Sequence, residues 1–226
     1  MIVFILIVGV IGYLLGSLPF GYLVARAKGV NIFDVGSKTP GATNVRRVLG
    51  HGPGNLVLAL DILKGAMASS WGLLAYTSVS VSYDLEEWGL SLTGEIAGAT
   101  WLELGISGLV GAMLGHGFSC FTKFRGGKSV ATGAGGFLVL MPIAALFAAG
   151  VWICALLISR YVSLASMLAA VSLPISLWWL ERSHWAIAVA VFAAAFVIFR
   201  HRENCRRLLN GTENRFGKQN PDGPEA

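Results

Sequence analysis

Long apolar runs alternate with short polar punctuation along this chain. The apolar blocks are Met1–Val24, Leu56–Tyr76, Leu104–Cys120, Val130–Ser159, Tyr161–Leu180 and Trp185–Phe199. A bilayer core about 30 Å thick takes roughly 20 helical residues, so most of these blocks predict membrane spans. Val130–Ser159 admits two readings. As one crossing it throws Arg160 and the basic segment Arg200–Arg207 outside; broken near Met141-Pro142 it returns them, and nearly all basic residues then share one side. Each half has about 15 residues, ~22 Å of helix, so neighbours must cover the shortfall. The pattern predicts an all-α polytopic integral membrane protein, a seven-helix transmembrane bundle with short or broken helices, N-terminus outside and C-terminus in the cytoplasm.

Charge placement supplies the orientation. The first block lacks a basic n-region, since the first Lys or Arg is Arg26, so it reads as a retained span rather than a cleaved signal peptide. Thr77–Glu103 carries Asp84, Glu86, Glu87, Glu95 and Glu103 and no Lys or Arg, and reads as an external loop. Thr122–Ser129, with Lys123, Arg125 and Lys128, reads as cytoplasmic. The exceptions are Lys64 within a span and Arg182 in a short external turn. Residues 1–210 are expected to form one membrane domain, with 77–103 as its acidic external loop and 211–226 as a polar cytoplasmic tail whose end is mobile.

Composition narrows the classes. The chain is 55% hydrophobic and 13% charged, with 29 glycines, well above the ~7% typical of proteins. Gly12 with Gly16, and Gly111 with Gly115, form small-xxx-small pairs that let membrane helices approach closely. The net charge of +5 is in large part the positive-inside bias, and a basic cytoplasmic face also attracts anionic headgroups and substrates. Nucleic acid is not an expected partner, because the basic loops lack interleaved aromatics and any recognisable module. Cys120, Cys154 and Cys205 are widely separated and match no ligand spacing, so neither disulfide nor zinc is expected.

Three polar constellations carry candidate chemistry. In Gly36-Ser37-Lys38-Thr39-Pro40-Gly41-Ala42-Thr43-Asn44-Val45-Arg46-Arg47, small hydroxyls and glycines let backbone N–H groups converge on an anion, and Arg adds a planar donor fork. The second is Lys123-Phe124-Arg125-Gly126-Gly127-Lys128-Ser129. It is not a P-loop, since Thr122 stands where the first glycine is needed and no strand precedes it. Glycine amides, Lys128 and a helix starting near Val130 still suggest an anion site. The third is Arg200–Arg207, where His201 and Asn204, three apart, are expected to share a helix face. His201 carries the one side-chain type here that ordinarily changes charge near neutral pH, which makes it the candidate acid, base or phosphate donor. Ser163 and Ser166 add hydroxyls at a helix start, with Ser163 a candidate N-cap. Asp61 and Lys64, three apart within a span, predict a buried ion pair, with structural and substrate-orienting roles both open.

The ordered set of motifs resembles a known family. It comprises Gly-Ser-x-x-Pro-Gly-Ala-Thr-Asn-Val-x-Arg from Gly36, Asp61-Ile62-Leu63-Lys64-Gly65, Gly115-His116, and Phe-x-Gly-Gly-Lys-x-Val-Ala-Thr from Phe124. Arg160-Tyr161-Val162-Ser163-Leu164-Ala165-Ser166, His201-x-x-Asn204 and Gly211-Thr212-Glu213 complete it. The chain is similar over nearly its whole length to the bacterial acyl-phosphate:glycerol-3-phosphate acyltransferases, the PlsY family. It departs from the family pattern at Lys38-Thr39, where Gly-Asn is usual, at Ala68 and Ser119 in place of prolines, and at Ser129 in place of a glycine. The external loop looks like an insertion.

The resemblance implies transfer of a fatty acyl group from acyl phosphate to the sn-1 hydroxyl of glycerol 3-phosphate, opening phospholipid biosynthesis. It implies that Ser37, Arg47, Lys128, His201 and Asn204 bind glycerol 3-phosphate, and that Gly41, Ala42, Thr43 and Ser166 bind acyl phosphate. Asn44, Lys64, Gly126, Gly127 and Ser163 are supporting residues. It implies no cofactor, no metal and no obligatory general base, with His201 as the candidate if one exists. It implies a multi-pass protein of the bacterial inner membrane with its active site at the cytoplasmic side, and it allows a functional link to the enzyme that makes acyl phosphate. The His-x4-Asp pattern of acyl-CoA acyltransferases is absent, since Leu56, Phe121, Val189 and Arg206 stand at that spacing from the four histidines. A transporter of anionic phosphate-bearing solutes is the alternative; it calls for similar halves, and no convincing internal repeat is found. A lipid-binding scaffold is the third class, and it leaves the ordered hydroxyl-glycine-arginine loops unexplained.

Overall fold

A computed structural model describes residues 2–71 and 101–217. Among these residues the chain forms ten α-helices and one 3-10 turn, with no strand. They are α1 (Ile2–Ser17), α2 (Phe20–Ala27), α3 (Ala42–Leu49), α4 (His51–Ser69), α5 (Trp101–Gly117), the turn Cys120–Thr122, α6 (Val130–Leu140), α7 (Pro142–Ser159), α8 (Val162–Trp179), α9 (His184–Arg200) and α10 (Arg202–Leu209). The first apolar block, read as one span, is one candidate span over Ile2–Ala27, interrupted between α1 and α2 at Leu18-Pro19, where proline disfavours helix at the residue before it. The break at Met141-Pro142 is present, but its halves are unequal: α6 has 11 residues and α7 has 18. At 1.5 Å per residue α6 is only ~16 Å long. Four helical segments are long and apolar enough to cross a membrane among the described residues, or five if the bent α9–α10 pair counts as one. Residues 77–100 of the acidic loop lie outside the described residues, and its last three residues open α5.

The chain divides into two compact units. The first contains α1, α4 from Ala59 onward, α5, the 3-10 turn and α6. Glycine builds it. A Cβ on Gly12 or Gly16 of α1 would strike the carbonyls of Gly108 or Ala112 on α5, and one on Gly111 or Gly115 would strike those of Gly9 or Tyr13. The two small-xxx-small pairs therefore interlock, backbone on backbone. Ser107 Oγ donates to Ile5 O at 2.6 Å, Tyr13 OH to Phe118 O at 2.8 Å, and Ser119 Oγ to Ser17 O at 2.6 Å, so hydroxyls tie the seam the glycines close. Gly65 meets the Thr132 carbonyl and Gly135 that of Ile62, which seats α6 on α4 in the same manner.

The second unit contains α2, α3, α4 up to Leu58, and α7–α10. Ala25, Ile32, Phe33, Val45 and Val57 form a buried apolar cluster beneath the 28–41 loop. Helices α8 and α9 bury alanine- and serine-rich faces, including Ala165, Ala169, Ser172 and Ser176 on α8 and Ala186, Ala190, Ala193 and Ala194 on α9. Exposed apolar side chains on α7, with Ile158 86% and Leu157 74% exposed, give this unit an apolar surface of the kind a membrane covers.

Candidate functional site

In the second unit, the loop before α3 is wound around one side chain. Asn44 is buried; its Oδ1 accepts the Ser37 backbone N–H at 2.8 Å, and its Nδ2 donates to Thr39 O at 3.0 Å and Val35 O at 3.2 Å. Gly36 has φ +58, and a Cβ there would collide with Asn44 Oδ1. Ser37 Oγ and Thr39 Oγ1 lie 3.0 Å apart. The loop delivers Gly41 as the N-cap of α3 with no side chain capping it, so the first-turn amides from Ala42 and Thr43 stay available to an outside acceptor. Thr43 and Arg47 are exposed. Enough protein crowds the Arg47 guanidinium to lower its pKa, chiefly by desolvation; the Glu213 charge opposes this and the Arg207 charge adds to it.

The third constellation is reorganised by a residue to which the sequence assigned no role. Glu213 Oε1 accepts from Ser163 Oγ at 2.8 Å and from Asn204 Nδ2 at 2.6 Å, while its Oε2 accepts from Arg207 Nε at 2.7 Å. Burial alone would raise the Glu213 carboxyl; the donations from Asn204, Arg207 and Ser163, with the Arg207 charge, outweigh it and hold the carboxyl below its usual range. Ser163 is thus not an N-cap: Tyr161 holds that position, and the Ser163 hydroxyl serves Glu213. The polar segment 211–217 docks, and the end of the tail, expected to be mobile, lies outside the described residues. Phe216 N donates to Arg160 O at 2.7 Å, Arg46 lies 4.8 Å from the Phe216 ring centre, and Arg215 Nε donates to Tyr161 OH at 3.0 Å.

His201 and Asn204 do not share the face of one helix. The helix breaks at His201 with a bend of 59° between α9 and α10. Both side chains are buried, and His201 Nδ1 lies 2.8 Å from Val197 O, which fixes that nitrogen as the donor. Ser166 is buried on α8; its Oγ donates to Val162 O at 2.8 Å and accepts from Trp152 Nε1 of α7 at 3.2 Å.

In the first unit, Asp61 and Lys64 form the expected buried pair, 2.8 Å apart. Lys64 Nζ also donates to Leu18 O at 3.0 Å, and His116 Nδ1 stands 3.5 Å from Asp61 Oδ1. Gly126 and Gly127, expected to cradle an anion, are packed closely against α5. A Cβ on Gly126 would strike the carbonyls of His116 and Gly117, one on Gly127 would strike the His116 ring, and Gly127 N donates to His116 O at 2.9 Å. Lys128 follows, and Ser129 beyond it is buried with its Oγ donating to Met113 O at 2.7 Å. Among the described residues no cluster of three or more His, Cys, Asp or Glu side chains has the arrangement of a metal site. His116 and Glu213 were thus missed as organisers, although each lies in one of the family motifs.

Residues 6–211 match the family model described as glycerol-3-phosphate acyltransferase. The glycerol-3-phosphate acyltransferase of Fusobacterium nucleatum is 40% identical, over 92% of this chain and 95% of the relative. That of Thermosynechococcus vestitus is 41% identical, over 93% and 94%. Among solved structures, the glycerol 3-phosphate form of PlsY, an integral membrane glycerol 3-phosphate acyltransferase, is similar with a TM-score of 0.78 and 37% identity, over 94% of this chain and 96% of that one. The lysophosphatidic acid form is similar with a TM-score of 0.75 and 36% identity, over 94% of this chain and 95% of that one. An all-helical membrane architecture, the ordered polar loops and a family model spanning most of the sequence converge on one assignment: this multi-pass membrane protein belongs to the glycerol-3-phosphate acyltransferase family and is an acyltransferase.

Proposed function

We propose that this chain transfers a fatty acyl group from acyl phosphate to the sn-1 hydroxyl of glycerol 3-phosphate, releasing lysophosphatidic acid and inorganic phosphate. The observation that carries the reading is the Asn44-wound loop, which ends in an uncapped helix N-terminus with Arg47 one turn beyond it. First-turn amides and a guanidinium suit a phosphate group. The solved relatives named for glycerol 3-phosphate and lysophosphatidic acid agree with this acceptor and product. Ser37, Arg47, Lys128, His201 and Asn204 are assigned to glycerol 3-phosphate, and Gly41, Ala42, Thr43 and Ser166 to acyl phosphate. Seven crossings with the C-terminus in the cytoplasm, in a bacterial inner membrane, fit the charge pattern. They put the basic loops on the side where a water-soluble acceptor is available.

The chemistry needs no acyl-enzyme. The acceptor hydroxyl oxygen attacks the acyl carbonyl carbon, an ester C–O bond forms, and the C–O bond to phosphate breaks. The departing phosphate takes the electron pair and then the hydroxyl proton. Orientation alone contributes about 7–11 kcal/mol to such a reaction, and donors at the acyl carbonyl stabilise the developing oxyanion. His201 acts as a binding residue. The test is turnover by purified protein in detergent, given glycerol 3-phosphate with palmitoyl phosphate or palmitoyl-CoA. Products are expected with the phosphate donor only, and are lost in Lys128→Ala. No product with either donor, in folded protein, rejects the reading and makes transport the leading one. Loss of turnover in His201→Gln with unchanged acceptor affinity would make His201 the base.

A further inference from the structure

The first unit buries more charge than its packing requires. Asp61 and Lys64 are 2% and 3% exposed among apolar and glycine-rich helices, where an ion pair repays its desolvation poorly. The set they belong to reaches beyond α4. Lys64 holds the end of α1 through Leu18 O, and Asp61 faces the His116 ring of α5. His116 in turn is the seat of the 126–129 turn. Its carbonyl accepts the Gly127 N–H, and its ring lies so close under Gly127 that a Cβ there would collide with Nε2. One residue beyond Lys128, Ser129 Oγ donates to Met113 O, three residues back from His116 on α5. Lys128 is therefore held between two residues that are both fixed to α5, and the ring beneath the first of them faces Asp61.

We propose that Asp61 and His116 are positioning residues for glycerol 3-phosphate, acting through the turn that carries Lys128. The Asp61 carboxylate orients the imidazole, the imidazole sets the height of Gly127, and Gly127 with Ser129 aims the Lys128 ammonium. This rests on the assignment of Lys128 to glycerol 3-phosphate. It gives the buried pair a substrate-orienting role and explains why Gly127 must lack a side chain.

The experiment compares Lys128→Ala with three variants: Asp61→Leu/Lys64→Met, which removes both buried charges together, His116→Asn, and Asp61→Glu. Thermal unfolding in detergent, kcat and KM are measured for each. So is the glycerol 3-phosphate Kd, read without donor from the ligand-induced shift in unfolding midpoint. The double variant and His116→Asn should raise KM and Kd for glycerol 3-phosphate about tenfold, equivalent to about 1.4 kcal/mol, with a smaller change in kcat. Asp61→Glu should lie nearer the wild type. In the Lys128→Ala background the double substitution should add no further rise. If Lys128→Ala weakens binding and the other variants do not, the positioning role is overturned while the Lys128 assignment stands. If Lys128→Ala itself leaves Kd unchanged, the Lys128 assignment fails first. Loss of folding in all the Asp61 and His116 variants would make the set purely structural and also overturn the inference.

Discussion

Asn204 Nδ2 donates to Glu213 Oε1 at 2.6 Å, so the amide proposed to meet the substrate is held from behind by a carboxylate nine residues further along the chain. The same carboxylate takes Ser163 and Arg207, which makes segment 211–217 part of the acyltransferase's candidate site. Glu213→Gln keeps the shape and loses the charge. Hydrogen bonds to charged groups are worth about 1.5–3 kcal/mol, so this variant should unfold several degrees earlier and bind glycerol 3-phosphate more weakly. An unchanged midpoint in a detergent melt would remove Glu213 from its organising place.

Acid should act through the same group. A carboxyl whose folded pKa lies below its unfolded value binds fewer protons when folded. Glu213 therefore contributes its full share of stability above about 4.5 and loses it as pH falls through its lower folded value. Melts of wild type and Glu213→Gln from neutral pH downward should converge in acid. Curves that stay parallel would contradict the lowered value.

Two departures from the family pattern fall at left-handed backbone positions. Lys38 has φ +54 and Ser129 has φ +59, conformations that cost a non-glycine residue roughly 1–2 kcal/mol. Lys38→Gly should raise the unfolding midpoint by about 2–4 °C. Ser129→Gly relieves the same strain but gives up the bond to Met113 O, worth about 1 kcal/mol, and should be close to neutral. Equal shifts for the two would mean that the Ser129 hydroxyl contributes nothing.

Asn44→Asp separates loop shape from loop charge. It keeps an acceptor for Ser37 N–H and turns a second oxygen toward the carbonyls of Thr39 and Val35. Leaving buried groups unsatisfied costs about 1–3 kcal/mol. We expect kcat/KM to fall at least about tenfold while the helical CD signal is retained. Near-normal turnover would show that the loop tolerates another support.

The glycine seam gives a packing prediction with its own control. Gly16→Ala drives a methyl into the Ala112 carbonyl, whereas a methyl on Gly150 of α7 would meet nothing within 4 Å. Overpacking costs about 1–3 kcal/mol, so Gly16→Ala should melt earlier. Gly150→Ala should be neutral or stabilising, since alanine favours helix by up to about 1 kcal/mol. Equal melting of the two would dismiss the seam as a stability element.

Local chemistry was the legible part of the fold. Apolar runs marked the membrane helices, Met141-Pro142 marked a break, and the spacing of Asp61 and Lys64 marked their pairing. The interruption at Leu18-Pro19 carried its signal in the proline, and the apolar block around it remains one candidate span. The bend at His201 carried no proline or glycine, and periodicity alone extended the helix through it. Glu213 meets Ser163 across 50 residues of sequence, a relation no spacing rule contains. The packing of Gly126 and Gly127 was hidden for a related reason. A glycine that admits a phosphate and one that admits a neighbouring helix look alike until the neighbour is known.

The interlock of α1 with α5 has an evolutionary consequence. An enlarged core side chain can ordinarily be accommodated by trimming the residue opposite. Here the obstacle opposite Gly12, Gly16, Gly111 and Gly115 is a peptide carbonyl, which every amino acid carries. No substitution opposite can shrink it, so compensation at these four positions has to come from moving the helices apart or from stability gained elsewhere.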